Sequence, residues 1–303
     1  MVYDIIIVGG GPAGLTAAVY ARRADKSVLV IEKGAFGGQI TFSPKVENIP
    51  GFASVTGNEF AEKLVEQALG QGADVEACEV LNIRSGEIKQ VETDDGVFEG
   101  RTVILAAGAR HRMLGLPDEE KYIGNGISFC AVCDGAFYQN GVVGVVGGGN
   151  SALQEALLLA ETSAKVCIFQ NLDFLTGEAA LCEQVKAADN IEVYLGCTVA
   201  GYTGNEELDG VVIRKESDGS ETAVKLDGLF IAIGLVPQNE PAASVIELDE
   251  RGYAVSGEDC LTRDPGIFAA GDCRTKQIRQ VTTAAADGAV AALAACRYLD
   301  SLR

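Results

Sequence analysis

The 303-residue chain carries 43 acidic and 24 basic side chains, a formal charge of −19 at pH 7. So acidic a balance argues against nucleic acid as a partner, because phosphate binding is driven by clustered Lys and Arg. With 48% apolar and 22% charged residues the composition is that of a folded globular protein long enough for two domains, and no run of roughly 18 apolar residues suggests a membrane span.

In chain order, Tyr3 to Val8 reads as a buried strand. It starts too close to the first residue to leave room for a signal or transit peptide. A glycine turn (Gly9–Gly14), a helix to about Ala24 and a second strand (Val28–Glu32) follow. The continuous branched apolar runs of both strands predict a parallel sheet covered on both faces. Residues 57 to 70 have helical spacing, with Phe60, Leu64, Val65 and Leu69 on one side. Short strands then run from Val75 to Val103, with Asp95-Gly96 as a hairpin turn, and Thr102 to Ala107 is a strand ending in Gly108.

The arrangement returns with an offset of about 138 residues. Val142 to Val146 is a strand, Gly147–Gly149 a turn, Asn150 to about Glu161 a helix and Lys165 to Phe169 a strand. Leu229 to Ile233 leads into Gly234 as Val103 to Ala107 leads into Gly108. The last segment, Gly266–Asp272 and a helix from about Gln280 to Leu299, has no glycine fingerprint of its own, so it returns to complete the first domain. The fold expected is α/β, with two Rossmann-like dinucleotide-binding domains of three-layer ββα type, the second inserted in the first. Residues 1–112 and 240–303 form one and residues 113–239 the other.

Gly9, Gly11, Pro12, Ala13 and Gly14 belong to a G-x-G-x-x-G turn between strand and helix, where a helix N-terminus faces a pyrophosphate. Glu32 closes the second strand, where an acid accepts hydrogen bonds from an adenosine ribose. In the second turn Gln170 occupies the place of that acid, and no Arg or Lys lies between Lys165 and Lys186. Either Gln170 still hydrogen-bonds the ribose of NADH, or the domain keeps its fold and binds pyridine nucleotide poorly. A 2′-phosphate in particular finds no cation there.

Cys130-Ala131-Val132-Cys133 is a C-x-x-C motif, whose thiols can bond across one turn and whose spacing favours a thiolate. No second pair exists to complete a zinc site, and no metal is expected. Asp134 follows at once, placed to shuttle a proton. The count of nine cysteines is odd, and without a secretory signal it points to a reducing cytoplasm. Most of the other seven read as buried small hydrophobes, with Cys273, beside Asp272, the one to watch. His111, the single histidine, reads as an exposed connector residue. Cys273 to Arg279 holds three cations and no acid, and is a solvated loop, a set of cofactor contacts or a dock for an acidic protein.

These ordered motifs, with Gly37-Gly38-Gln39, Glu47–Gly51, Gly266–Asp272 and Arg279-Gln280-Val281, resemble the low-molecular-weight thioredoxin reductases. These belong to the FAD-dependent pyridine nucleotide–disulfide oxidoreductases, and the likeness runs along essentially the whole chain. The resemblance implies FAD in the first domain, with Gly37, Gly38, Gln39 and Asn48 near the flavin and Asp272 on its ribityl chain. Gln280 and Val281 would meet the flavin ring, and Gly108, Gly271 and Arg279 complete the expected cofactor residues. It implies too that Cys133 faces the flavin, that Cys130 attacks the thioredoxin disulfide, that Asp134 is the acid/base group and that the enzyme is a homodimer.

NADPH-dependent members carry His-Arg-Arg and a further Arg where this chain has Gln170, Asn171, Leu172 and Thr176. That departure is similar to the pyridine nucleotide-independent, ferredoxin-linked flavin thioredoxin reductases of clostridia, and implies reduced ferredoxin as donor. The alternatives are an NAD(P)H-dependent thioredoxin reductase, a small-molecule dithiol oxidase and a flavin-bearing redox sensor. Ferredoxins are typically acidic, so a chain this negative needs a local basic dock. Arg110, Arg112, Arg274, Lys276 and Arg279 are its candidates.

Overall fold

A computed structural model describes residues 1–43 and 45–302. The chain divides into two compact units, one of residues 1–110 and 236–303, the other of residues 111–235.

The first unit opens with β1 (Val2–Val8), α1 (Pro12–Arg23), β2 (Val28–Ile31), α2 (Gly57–Gly70) and β3 (Asp74–Glu76). A meander follows, of β4 (Val80–Arg84), β5 (Lys89–Thr93) and β6 (Gly96–Leu105). The parallel core is β3-β2-β1-β6, and β6 is long enough to pair antiparallel with β5 as well, which in turn pairs with β4. Ile5, Ile7, Val28 and Val30 face one way and pack on α1; Ile6, Val8, Leu29 and Ile31 face the other. Burial on both faces explains the unbroken apolar runs. The β5–β6 turn is Asp94-Asp95 rather than Asp95-Gly96: Thr93 pairs with Gly96, which opens β6 at φ +141°. Glycine's freedom at positive φ is used at the first strand residue, one place beyond the loop. Leu69 is 46% exposed, so the buried side of α2 is carried by Phe60, Ala61 and Ala68.

After β7 (Ala109–His111) the second unit contains α3 (Glu119–Tyr122), β8 (Ile127–Ser128), α4 (Ala131–Asp134), β9 (Val142–Val146), α5 (Asn150–Ala160) and β10 (Lys165–Gln170). It continues with α6 (Ala179–Ala187), β11 (Ile191–Leu195), β12 (Cys197–Gly204), β13 (Leu208–Lys215), β14 (Glu221–Lys225) and β15 (Gly228–Ile231). Its parallel sheet has the order β11-β10-β9-β15-β8. One face packs on α5 and α6 through Leu153, Ala156, Leu159 and Val185; the other packs on the β12-β13-β14 sheet through Val199, Val211 and Ile213. Each βαβ core is thus sandwiched between helices and a meander, the three-layer architecture.

Beyond β16 (Leu235–Pro237), β17 (Ile267–Ala269) pairs parallel with β6, and α7 (Val281–Ser301) packs on α1. Contact between these helices is close because a Cβ at Gly288 would lie 2.1 Å from the Ala13 carbonyl oxygen. Among the described residues no helix is long and apolar enough to cross a membrane.

Candidate functional site

In the first unit, β1 delivers the chain into a turn that only glycine can make. Gly9 sits at φ +112°, and a Cβ at Gly14 would lie 1.9 Å from the Gly9 carbonyl oxygen. Pro12 opens α1, so the first-turn N–H groups beyond it are left to face an anion. Glu32 stands one residue past the end of β2, where its carboxylate accepts the Gly10 and Gly34 N–H groups, each at 2.8 Å. Gly37 donates to the Gly10 carbonyl at 2.8 Å, laying Gly37–Gln39 along the turn. From the returning segment, Gly271 approaches Ala13 so closely that an added Cβ would meet its methyl at 2.9 Å.

Two of the expected flavin-side residues, Asn48 and Gln280, meet directly. Asn48 Nδ2 donates to Gln280 Oε1 at 3.3 Å, and Gln280 and Val281 are the N-cap and first residue of α7. Asp272 Oδ1 is buried without a hydrogen-bond partner among the described residues, and burial raises this carboxyl although Lys276 and Arg279 act to lower it. Gly108, at φ +69°, accepts the Gln238 N–H at 3.2 Å.

The cationic segment is not the solvated loop that its composition allows. Arg274 is 2% exposed and grips Asp287 with Nε and Nη2 at 2.8 and 2.9 Å. Lys276 Nζ joins the same carboxylate at 2.9 Å, as does the Gly271 N–H. Arg279 lies over the Tyr253 ring at 4.2 Å and donates to the Asp272 carbonyl. Arg274 and Lys276 are therefore withdrawn as dock residues, spent on a buried ion cluster, whereas Arg110 and Arg112 are exposed. Cys273 also loses its special interest: it is fully buried and its thiol is pushed up to about 11, chiefly by burial. An inert thiol follows, because the thiolate is the nucleophile.

In the second unit, Cys130 and Cys133 are joined as a disulfide with Cα atoms 5.3 Å apart. Cys130 caps α4, and its Sγ accepts the Cys133 N–H at 3.2 Å. Ser128, at the end of β8, donates its hydroxyl to Asp134 Oδ2 at 2.6 Å and accepts the Cys130 N–H at 3.1 Å. One hydroxyl thus ties the cysteine backbone to the adjacent carboxyl. Burial raises Asp134 above its ordinary value, the Ser128 bond working against it, and its Oδ1 has no partner among the described residues. A carboxyl so placed can hold a proton at a pH where an exposed one cannot. The other seven cysteines are free, six of them buried. His111 is not an exposed connector: it stacks on Phe129, centroids 4.6 Å apart, and burial holds it down at about 4, uncharged at neutral pH.

The second glycine turn is covered by its own loop. Gln170 is 5% exposed, lies against Gly148 and donates Nε2 to the Phe174 carbonyl at 3.2 Å. The Gly148 carbonyl accepts the Thr176 and Gly177 N–H groups at 2.8 and 3.0 Å. Asn150, first residue of α5, exchanges two hydrogen bonds with Glu178. Asn171, Leu172 and Thr176 supply no cation.

Two residues of these sites were not singled out from sequence. Ser128 carried a faint signal, a hydroxyl two residues before the cysteine. Glu155, on α5, carried none: its carboxyl takes a hydrogen bond from the Ala131 backbone, its Oε2 is buried without a partner, and burial pushes it up to about 7.

The family pattern described as pyridine nucleotide-disulphide oxidoreductase matches residues 3–288. The chain belongs to that family. A thioredoxin reductase of Listeria innocua is 40% identical over 304 aligned positions, covering 100% of this chain and 95% of that protein. A Clostridium pasteurianum protein described as a 34.2 kDa protein in the rubredoxin operon is 38% identical over 98% of this chain and 97% of its own length. The solved thioredoxin reductase of Streptococcus pyogenes superimposes with a TM-score of 0.95 at 38% identity, covering 99% of each chain. Thioredoxin reductases of this family are FAD-binding flavoproteins, and FAD is the cofactor here. The first unit fits it: a glycine turn open to a pyrophosphate, an acid at the ribose position and the unpartnered Asp272 oxygen for a hydroxyl.

Proposed function

We propose that this chain reduces the disulfide of thioredoxin through the Cys130/Cys133 dithiol, with FAD in the first unit and reduced ferredoxin as the electron source. The observation that carries the disulfide chemistry is the cysteine pair at the head of α4, with the raised carboxyl of Asp134 tied to it through Ser128. In this reading residues 1–110 and 236–303 hold FAD and residues 111–235 present the dithiol. Gly9, Gly11, Pro12, Ala13 and Gly14 receive the pyrophosphate, Glu32 the ribose, and Asp272 the ribityl chain. Gly37, Gly38, Gln39, Asn48, Gly108, Gly271, Arg279, Gln280 and Val281 line the flavin.

When bound, FAD would supply the electron pair that opens the Cys130–Cys133 bond. Cys133 would be the thiol that faces the cofactor, and Cys130 the one that attacks the thioredoxin disulfide. The Cys133 N–H and the head of α4 favour Cys130 as a thiolate. Asp134 holds the proton that the leaving thiolate takes up.

The donor assignment is supported by the second glycine turn. Each charge-assisted contact missing from a 2′-phosphate forfeits roughly 1.5–3 kcal/mol, and here all the cations are missing while Gln170 is engaged by its own loop. Seven free thiols suit a reducing cytoplasm, and the working form proposed is a homodimer. The test is anaerobic mixing of the oxidised protein with NADPH, NADH or reduced ferredoxin while flavin absorbance is followed. Ferredoxin is expected to bleach the flavin; rapid full bleaching by micromolar NADPH overturns the donor assignment.

A further inference from the structure

Resting on the dithiol reading above, we propose that Glu155 is a positioning residue for the dithiol, its carboxyl holding the Ala131 N–H and exchanging a proton in step with the reduced Cys130/Cys133 pair. Ala131 stands between the two cysteines and is the first residue of α4. Its N–H is held by the Glu155 carboxyl, directly beside Cys130 in the chain. Glu155 reaches this N–H from a different element, α5, which packs against α4.

A carboxyl placed there purely for structure is expected to be fully bonded. Instead Oε2 is buried with no partner among the described residues. A buried, half-satisfied carboxylate is costly, and the group avoids the cost by taking a proton. Its value of about 7, set by burial against the Ala131 bond, agrees with that geometry.

Other ionisable groups packed on α5 leave this role to Glu155. From α4 come the cysteine pair and Asp134, whose carboxyl is bonded to Ser128, and Tyr138, in the same core, is pushed up to about 12 by burial. β9 has no ionisable side chain, and on β10 Lys165 pairs with Glu192 while Cys167 is buried. On α6, Lys186 pairs with Glu183 at the surface, and Cys182 donates to the Gly177 carbonyl.

When two electrons open the disulfide, two thiolates are left and protons from solvent complete the thiols. An ionised Glu155 on the Ala131 N–H disfavours a thiolate beside it by like charge, and a thiolate disfavours an ionised Glu155. Carboxyl and dithiol then titrate as one coupled set.

The test uses the FAD-bound protein, reduced with a phosphine and alkylated with iodoacetamide from pH 5 to 10, with Cys130 and Cys133 scored by peptide mass. Native protein should give a broad, two-step profile. Glu155→Gln keeps an acceptor for Ala131 and removes the titration. Its profile should lose the step linked to Glu155, with a midpoint about one unit lower. An unchanged midpoint and shape in Glu155→Gln overturns the inference. If neither cysteine becomes alkylated after reduction, the dithiol reading itself fails instead.

Should the Gln variant not fold, redox-difference infrared spectra of native protein made with ¹³C-labelled glutamate read the same proton. A protonated-carboxyl band that grows on reduction and shifts with the label supports the inference. No labelled band change overturns it.

Discussion

Asp287→Asn removes the acid from the buried cluster beneath the expected ribityl site, with consequences for stability and for FAD. Native Asp287 is 6% exposed and takes four donors: Arg274 twice, Lys276 and the Gly271 N–H. Burial works to raise this carboxyl, but hydrogen bonds from Arg274 and Lys276 outweigh it and hold it below its ordinary value. The amide leaves two buried cations facing each other with little to balance them. Glu258 still reaches Arg274 at 3.3 Å, but it is 94% exposed, and such a pair contributes about 0–1 kcal/mol. Stranding a buried charge costs about 3–5 kcal/mol, and for a unit of this size each kcal/mol moves Tm by about 2–4 °C. Asp287→Asn should lower Tm by about 6–20 °C in a thermal melt. Adding Lys276→Met should recover part of that loss. The sign of the pH effect follows from the lowered carboxyl. Its stabilisation is present above the unfolded carboxyl value, about 4, and is lost as pH falls through the lower folded value. The gap between native and variant should therefore narrow in acid. A variant within about 0.5 kcal/mol of native at neutral pH, the spread of ordinary surface changes, refutes the reasoning.

Other outcomes follow from the same geometry. Cys130→Ser should retain FAD and lose thioredoxin reduction in a thiol-release assay. Asp134→Asn should slow that reduction by about 10²–10⁴-fold, the usual contribution of a positioned acid, with FAD content unchanged. Gly14→Ala places a methyl 1.9 Å from the Gly9 carbonyl oxygen and should yield protein without FAD, read from its absorbance. Introducing Arg at Asn171, Leu172 and Thr176 together should let NADPH bleach the flavin anaerobically, each contact contributing roughly 1.5–3 kcal/mol to nucleotide binding.

Both glycine turns were legible because their physics is local. A buried strand, a positive-φ glycine and a helix head need only neighbouring residues, as Gly9 and Gly14 illustrate. Glu32 and the C-x-x-C were legible for the same reason of fixed spacing. Misreadings arose where a long-range partner decides. Asp272 is the acid nearest Arg274 in sequence, yet the partner that buries it is Asp287, 13 residues on in α7. His111 looked exposed beside two arginines, but Phe129 covers it. Glu155 was silent because one acid on a helix is ordinary until the fold brings α4 against it. Of the five cations considered for a dock, Arg274 and Lys276 are internally paired and Arg279 lies over the Tyr253 ring, whereas Arg110 and Arg112 are exposed.

The flavin and the Cys130–Cys133 bond should behave as two redox centres of one chain. Anaerobic titration with dithionite counts them directly. The native protein should take up about four electrons per chain, two for the flavin and two for the dithiol couple, and Cys130→Ser about two. Uptake of two electrons by the native protein, with a variant indistinguishable from it, contradicts the account.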